Sequence, residues 1–145
     1  MEFSHEVLID KPIALVWAYT NNVENLKFWA NGYIGSEQIS GNSGEPGSVS
    51  IRKYFMRGRL VSVKEEVLEV SKFEYLKLRQ HMLSQITEVE TRTISINENQ
   101  TKVIMNFNFQ MTNAYHRFLL KLSKNNLRKR VIKTVNKLKP LIESI

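Results

Sequence analysis

The chain has 145 residues, 42% of them hydrophobic and 24% charged, a composition typical of a soluble globular protein. It contains no cysteine, which excludes disulfides, thiol nucleophiles and cysteine metal ligands. No apolar stretch approaches the roughly 18 residues of a membrane-spanning helix, and the first residues do not resemble a secretory signal. We therefore expect a cytoplasmic protein that forms one domain over residues 1–145.

Positive charge is concentrated in the last part of the chain, although the net charge of the whole is only +7. Residues 1–112 carry 12 Lys/Arg and 13 Asp/Glu, whereas residues 113–145 carry nine Lys/Arg and one acidic residue, Glu143. This segment is either a solvated helix face or a surface for an anionic partner. A membrane fits better than nucleic acid, because the helix predicted over 127–143 has no aromatic residue on which bases could stack.

The first third of the chain predicts a strand followed by two short helices. Residues 2–10 alternate between apolar and polar, as a half-buried strand does. Pro12 suits the first turn of a helix, and the polar residues 20–22 separate this helix from a second one that ends at Asn31-Gly32. Alternation and turn residues then predict further strands at 33–40, 48–55, 59–70, 73–80, 84–96 and 101–111.

The terminal segment, residues 113–143, has two apolar stripes that are out of phase. The first stripe consists of Tyr115, Phe118, Leu119 and Leu122. The second consists of Leu127, Val131, Val135, Leu138 and Ile142, and at about 100° per residue it points nearly the opposite way. One straight helix cannot bury both stripes against one sheet, so we expect a kink or break at residues 123–126.

Two stretches of sequence resemble a known family. Residues 7–29, VLIDKPIALVWAYTNNVENLKFW, contain a strand ending in Ile, a Pro at the helix start, Val-Trp, a polar turn and a second Trp. Residues 114–144 resemble the same family's long basic terminal helix. The chain is thus similar to the START-like (SRPBCC) superfamily, and within it to the polyketide cyclase/dehydrase and lipid-transport family.

This resemblance implies an α+β helix-grip fold, in which a curved antiparallel sheet of six or seven strands wraps around a long C-terminal helix. It also implies a cavity for a small apolar or amphipathic ligand, such as a lipid or a polyketide-like compound. The chain has Asn99-Gln100-Thr101 where family members often have Gly-Gly or Gly-Thr before the last strand. No cyclase catalytic set can be transferred onto it residue by residue.

Catalytic candidates are few, and neither a metal nor a cofactor is expected. The three histidines share no metal-ligand spacing. His5 lies on the apolar face of the first strand, where it is either a general base or a partly buried histidine bonded to the backbone near the start of the strand.

The other candidates lie on the strand predicted at 84–96. If residues 97–100 close a simple hairpin, then Glu88, Glu90 and Arg92 share the face of Phe107 and Phe109 and line the cavity. There the carboxylates could serve as acid and base. If a bulge shifts the register by one residue, all three face solvent instead.

Aromatic and apolar residues supply the predicted ligand contacts. Trp29 and Tyr33 flank Gly32 near the expected cavity mouth. The full set of predicted ligand-binding residues is Trp29, Tyr33, Tyr75, Arg92, Met105, Phe107, Phe109, Phe118 and Leu122.

Three functions remain open at this point. The first is binding or transport of an apolar ligand without catalysis. The second is a metal-free enzyme of the cyclase or dehydratase type that uses His5, Glu88 or Glu90. The third is an interaction module in which the basic terminal helix contacts an anionic membrane surface or a protein.

Overall fold

A computed structural model describes all 145 residues as a seven-stranded sheet with helices on one face. The strands are β1 (Glu2–Ile9), β2 (Tyr33–Ser40), β3 (Val49–Met56), β4 (Arg59–Ser71), β5 (Tyr75–Met82), β6 (Gln85–Asn97) and β7 (Gln100–Met111). The helices are α1 (Ile13–Thr20), α2 (Leu26–Trp29), α3 (Ala114–Asn136) and α4 (Leu138–Glu143), with a 3₁₀ turn at Val23–Asn25.

All neighbouring strands are antiparallel, in the order β1-β7-β6-β5-β4-β3-β2. Strands β2 to β7 form a continuous meander, and β1 completes the sheet by pairing with β7. This architecture confirms the predicted curved antiparallel sheet with two short helices after the first strand and a long C-terminal helix. We call the face that carries the helices the inner face, and the opposite one the outer face.

The main core lies on the inner face of β1, β6 and β7, under α1, α4 and the last turns of α3. Alternation places one side of each strand in this core, as the patterns of β1 and β7 predict. Its nine buried members are Val7, Ile9, Val16, Val89, Val103, Met105, Val135, Leu138 and Ile142. Full burial of a Leu or Ile side chain contributes about 1.5–3 kcal/mol, so this cluster is the main source of stability.

Polar contacts fasten the C-terminal helices to the first strand. His5 Nε2 lies 2.7 Å from Asn136 Oδ1, and the backbone N–H of Asp10 donates to Glu143 Oε1 at 2.8 Å. Lys139 Nζ donates to the carbonyl oxygen of Leu8 and pairs with Glu143. The two ends of the chain are therefore joined along β1.

The expected break in the terminal helix at residues 123–126 is wrong. Helix α3 runs without interruption from Ala114 to Asn136, and the chain breaks at Lys137, before Pro140. The conflict between the two stripes is resolved in another way: the second stripe packs on the sheet, and the first stays exposed. Since burial of the second stripe alone holds the helix, no kink is needed.

The two ends of the sheet differ. The β3–β4 turn at 57–58, the β5–β6 turn at 83–84 and the β7–α3 link at 112–113 lie at one end, which we call the upper end. The core lies towards the opposite, lower end, where Ile9 pairs with Thr101 and α4 packs against β1.

Two leucines of the terminal helices test which stripe carries stability. Leu138 is 1% exposed, whereas Leu122 is 69% exposed. We expect Leu138→Ala to lower the free energy of unfolding by about 2–5 kcal/mol, because it leaves a cavity in the core. Leu122→Ala should change it by less than about 0.5 kcal/mol. Urea unfolding followed by circular dichroism measures both, and comparable losses in the two variants would contradict the observed phase of α3.

Candidate functional site

A cluster of polar side chains lies on the inner face of β3, β4 and β5, outside the main core. Glu65 is buried among apolar neighbours, between Val63 and Val67 on the same face of β4. Arg52 Nη2 approaches Glu65 Oε1 to 2.6 Å, and Gln80 Nε2 donates to Glu65 Oε2 at 3.0 Å. The register explains the cluster, since Glu65 pairs directly with Gln80 on β5 and with Ser50, two residues before Arg52, on β3.

Glu65 and Arg52 form a buried ion pair. Burial raises the pKa of Glu65 above its usual 4.5, although the positive charge of Arg52 and the hydrogen bond from Gln80 oppose the rise. Arg52 Nε is buried and has no hydrogen-bond partner. A buried ion pair is weak evidence for stability, because desolvation of two charges offsets their attraction. The cluster therefore offers an unused N–H donor beside a carboxylate with a raised pKa.

Aromatic residues flank the cluster at the start of β2 and the end of β3. The rings of Tyr33 and Tyr54 meet edge to face, with centroids 5.8 Å apart. Burial also raises the pKa of the Tyr54 phenol, an effect that the charge of nearby Arg52 reduces. Only glycine fits at position 32, just before β2, because its φ of 76° is left-handed and a Cβ at this position would collide with the carbonyl of Phe55.

Trp29 lies between the Tyr33–Tyr54 pair and the core. Its ring packs against the core cluster, and its indole Nε1 is buried without a hydrogen-bond partner. A buried indole N–H normally finds an acceptor, so Trp29 supplies a second unused donor on the helix side of the sheet.

Helix α3 contributes an exposed apolar flank, defined by Tyr115, Phe118, Leu119 and Leu122. At about 100° per residue, this flank points nearly opposite to Leu127, Val131 and Val135, the side of the helix that packs on the sheet. The flank opposite it contacts the β1 edge, where Arg128 lies 5.9 Å above the ring of Phe3. The apolar flank therefore faces away from β1 and β7, the strands that α3 contacts.

The inner face of β7 carries the predicted apolar contacts near its upper end. The rings of Phe3, Phe107 and Phe109 stack on one another, with centroids 5.4–5.9 Å apart. Met105 lies deeper and belongs to the main core. Phe118 and Leu122, on the apolar flank of α3, are exposed.

The structure decides the two alternatives for the charged trio of β6. A bulge between Ser95 and Asn97 shifts the register by one residue, so that Glu88, Glu90 and Arg92 lie on the outer face. They are paired there: Arg79 donates to Glu88 at 2.9 Å, and Arg92 donates to Glu90 at 2.6 Å. Partial burial would raise the pKa of Glu90, but Arg92 outweighs it and holds the pKa below its usual value.

Four predicted site residues, Glu88, Glu90, Arg92 and Tyr75, thereby lie away from the inner face. Tyr75 pairs with Arg92, lies on the outer face with it and stacks beneath its guanidinium at 5.3 Å, so the placement of both as cavity residues is wrong. His5 does lie on the inner face, but its ring bonds to Asn136 at the edge of the core. His5 is thus partly buried, as one of the two alternatives predicted, but its partner is the Asn136 side chain and not the backbone.

Sequence reasoning missed the polar cluster, although a signal was present. The alternation of Val63, Glu65 and Val67 predicts a carboxylate on an apolar face. Nothing in the local sequence of β3 identifies Arg52 as its partner, because that contact depends on strand pairing.

A family model described as polyketide cyclase / dehydrase and lipid transport matches residues 1–143. The chain belongs to this family. No curated protein has a significant sequence match to it.

Solved structures show how widely the family's fold is shared. An aromatase/cyclase, Zhui of Streptomyces sp. R1128, superposes with a TM-score of 0.80 at 13% identity, covering 99% of this chain and 93% of that one. TTHA0849 of Thermus thermophilus gives 0.76 at 18% identity, with coverage of 99% and 98%. A START superfamily protein of Mycobacterium smegmatis gives 0.66 at 12% identity, with coverage of 94% and 98%. At such identities the likeness shows the fold alone.

The buried Arg52–Glu65 pair predicts how the stability of the protein depends on pH. Arg52→Met leaves Glu65 buried and unpaired, so near neutral pH it should cost about 3–5 kcal/mol of stability. The folded pKa of Glu65 lies above its unfolded value, so the ionised form penalises folding and the penalty disappears as the pH falls through the folded pKa. The loss in Arg52→Met should therefore shrink in acid, as measured by urea unfolding over a pH series.

The double variant Arg52→Met/Glu65→Leu is the control. It replaces both charges by apolar groups and should recover most of the lost stability. A cost for Arg52→Met that is the same in acid and near neutrality would show that Glu65 does not carry the penalty.

Proposed function

We propose that this family member binds a small apolar or amphipathic molecule between α3 and the inner face of β3–β6. The observations that support this most directly are the exposed apolar flank of α3 and the buried polar groups on the inner face of β3–β5. Monomeric proteins do not usually leave a contiguous set of large apolar side chains in water without a use for them. A ligand inserted there would cover the flank and complete the core.

The polar cluster gives the ligand an orientation. Ligand sites are mostly apolar, with a few placed polar groups that fix the pose. Arg52 offers N–H groups not used by Glu65, and the Tyr54 hydroxyl lies on the same face two residues away. A carbonyl or hydroxyl oxygen on the ligand suits this cluster, since the Arg52–Glu65 pair already balances its own charge.

Binding is favoured over catalysis by the positions of the acid–base candidates. Glu88 and Glu90 lie on the outer face, and His5 is held by Asn136. The remaining carboxylate near the proposed ligand, Glu65, is already engaged by Arg52 and Gln80. A cyclase or dehydratase reaction would have to depend on this one residue.

A matched pair of variants tests the ligand position. Leu119 on the apolar flank is 40% exposed, and Ile94 on the outer face is 43% exposed. We expect Leu119→Asn to weaken binding of the neutral fluorescent probe N-phenylnaphthylamine about tenfold, because one apolar contact is lost. Ile94→Asn should leave the affinity unchanged. Fluorescence titration measures both, and equal affinities in the two variants would place the probe elsewhere.

We propose as a second function that the upper end of the molecule contacts an anionic membrane surface. None of the helices combines the length and apolarity required to cross a bilayer. Contact with the membrane surface is supported by exposed apolar side chains. Phe118 and Leu122 are exposed beside lysines on α3, and Leu83 at the β5–β6 turn is 100% exposed. Thr112 bonds to the carbonyl oxygen of Ser84 and so holds this turn beside the start of α3.

The charges of the upper end fit such a surface. Arg57 and Arg59 lie at the β3–β4 turn of this end, and Arg117 and Lys121 lie on the first turns of α3. Apolar side chains inserted among basic ones are typical of peripheral membrane contact, in which burial and attraction to anionic lipids act together.

Vesicle co-sedimentation tests the membrane contact. The protein should sediment with vesicles of phosphatidylcholine plus phosphatidylserine, less at high salt, and little with phosphatidylcholine alone. Phe118→Ser/Leu122→Ser should weaken partitioning about tenfold or more, whereas Ile94→Ser/Ile96→Ser on the outer face should not. A dimer that the first variant abolishes, without any vesicle binding, would assign the flank to a second copy of the chain instead.

A further inference from the structure

A cavity of about 570 Å³ lies between the start of α3 and the upper ends of β7 and β1. It is on the opposite flank of α3 from the proposed ligand position. Its floor is apolar and includes Phe109, Met111 and Leu120, and its rim carries Arg117, Lys121 and Lys124. A volume of this size falls within the roughly 300–1,000 Å³ of typical small-molecule sites.

The three rim cations point to the charge of the occupant. They are spaced four and three residues apart, which places them on one flank of the helix. No Asp or Glu lines the cavity, and none of the three cations takes part in an ion pair. On the sheet, by contrast, Arg52, Lys77, Arg79 and Arg92 all have carboxylate partners.

The apolar floor points to the rest of the occupant. Phe109 is buried and stacks with Phe107 and Phe3, so this part of the floor is a packed apolar surface. Cations gathered above a low-dielectric wall strengthen the local positive potential. An anionic group at the rim would neutralise it, while an attached hydrocarbon chain would cover the floor.

We infer that this α3–β7 cavity is a second binding site, for an amphiphile with one anionic head group, such as a carboxylate, sulfate or phosphate. The head group would lie among Arg117, Lys121 and Lys124, and the chain would lie on Phe109, Met111 and Leu120. The site is separate from the one proposed above, because it uses the basic flank of α3 and not the apolar one.

Two charge-reversal variants of equal net charge test the site. Lys121→Glu/Lys124→Glu changes the cavity rim, whereas Lys129→Glu/Lys133→Glu changes the same helix beyond it. Dodecanoate, titrated below its micellar concentration and followed by amide chemical shifts of the ¹⁵N-labelled protein, should bind at residues around Leu120. The first variant should weaken this binding at least about tenfold and the second less than about twofold.

Dodecanol and N-phenylnaphthylamine distinguish this site from non-specific adsorption and from the ligand position beside the apolar flank. Dodecanol has the same chain without the charge and should bind far more weakly to the cavity. Equal weakening by the two charge variants, equal affinity for dodecanol, or competition between dodecanoate and N-phenylnaphthylamine would each overturn the site. We expect Lys121→Glu/Lys124→Glu to leave the affinity for N-phenylnaphthylamine unchanged. This result would show that the two sites are independent.

Vesicles distinguish a free amphiphile from a lipid head group. Shifts around Leu120 with monomeric dodecanoate support the cavity as a site for single molecules. Shifts that occur only with phosphatidylserine vesicles would overturn the cavity site and leave these cations as part of the membrane contact alone.

Discussion

The structure depends on the packing of α4 and the last turns of α3 against β1 and β7. Val135, Leu138 and Ile142 complete a core whose other members come from the first and last strands. These contacts join residues more than a hundred positions apart, and hydrogen bonds such as Asp10 to Glu143 reinforce them. Nearer its start, α3 is tied to the sheet by the hydrogen bonds of Thr112 to Ser84 and has no fully buried side chain.

A helix anchored at one end explains why the functional features gather at the upper end. The anchored half of α3 needs an apolar stripe that faces the sheet, and there it has one. The first half of α3 does not need such a stripe. Its two flanks can therefore differ, and one is apolar while the other is basic. The same segment can therefore offer different surfaces to the inner face, to the β1 edge and to solvent.

Sequence patterns predicted most of the fold but only part of the site. Alternation identified β1 and β7, and the order of elements gave the class of fold, because both signals are local. The bulge between Ser95 and Asn97 carries no strong local signal, and it alone decided the face of Glu88 and Arg92. The position of Glu65 on an apolar face could be predicted from its neighbours, but its pairing with Arg52 depends on contacts between strands. The two out-of-phase stripes of α3 were identified correctly from the sequence. That the first stripe stays exposed, and the helix does not kink, depends on tertiary packing.

The bulge in the β6–β7 hairpin also has an evolutionary consequence. Side chains on a strand alternate, so loss of one residue at this point would turn every preceding residue of β6 over. Glu88, Glu90 and Arg92 would then enter the inner face, and Thr87 and Val89 would leave it. A one-residue deletion would thus bring a pair of carboxylates and a guanidinium beside α3 without changing a single codon for them. A scaffold of this kind can gain or lose acid–base groups by changing the length of a hairpin as well as by substitution.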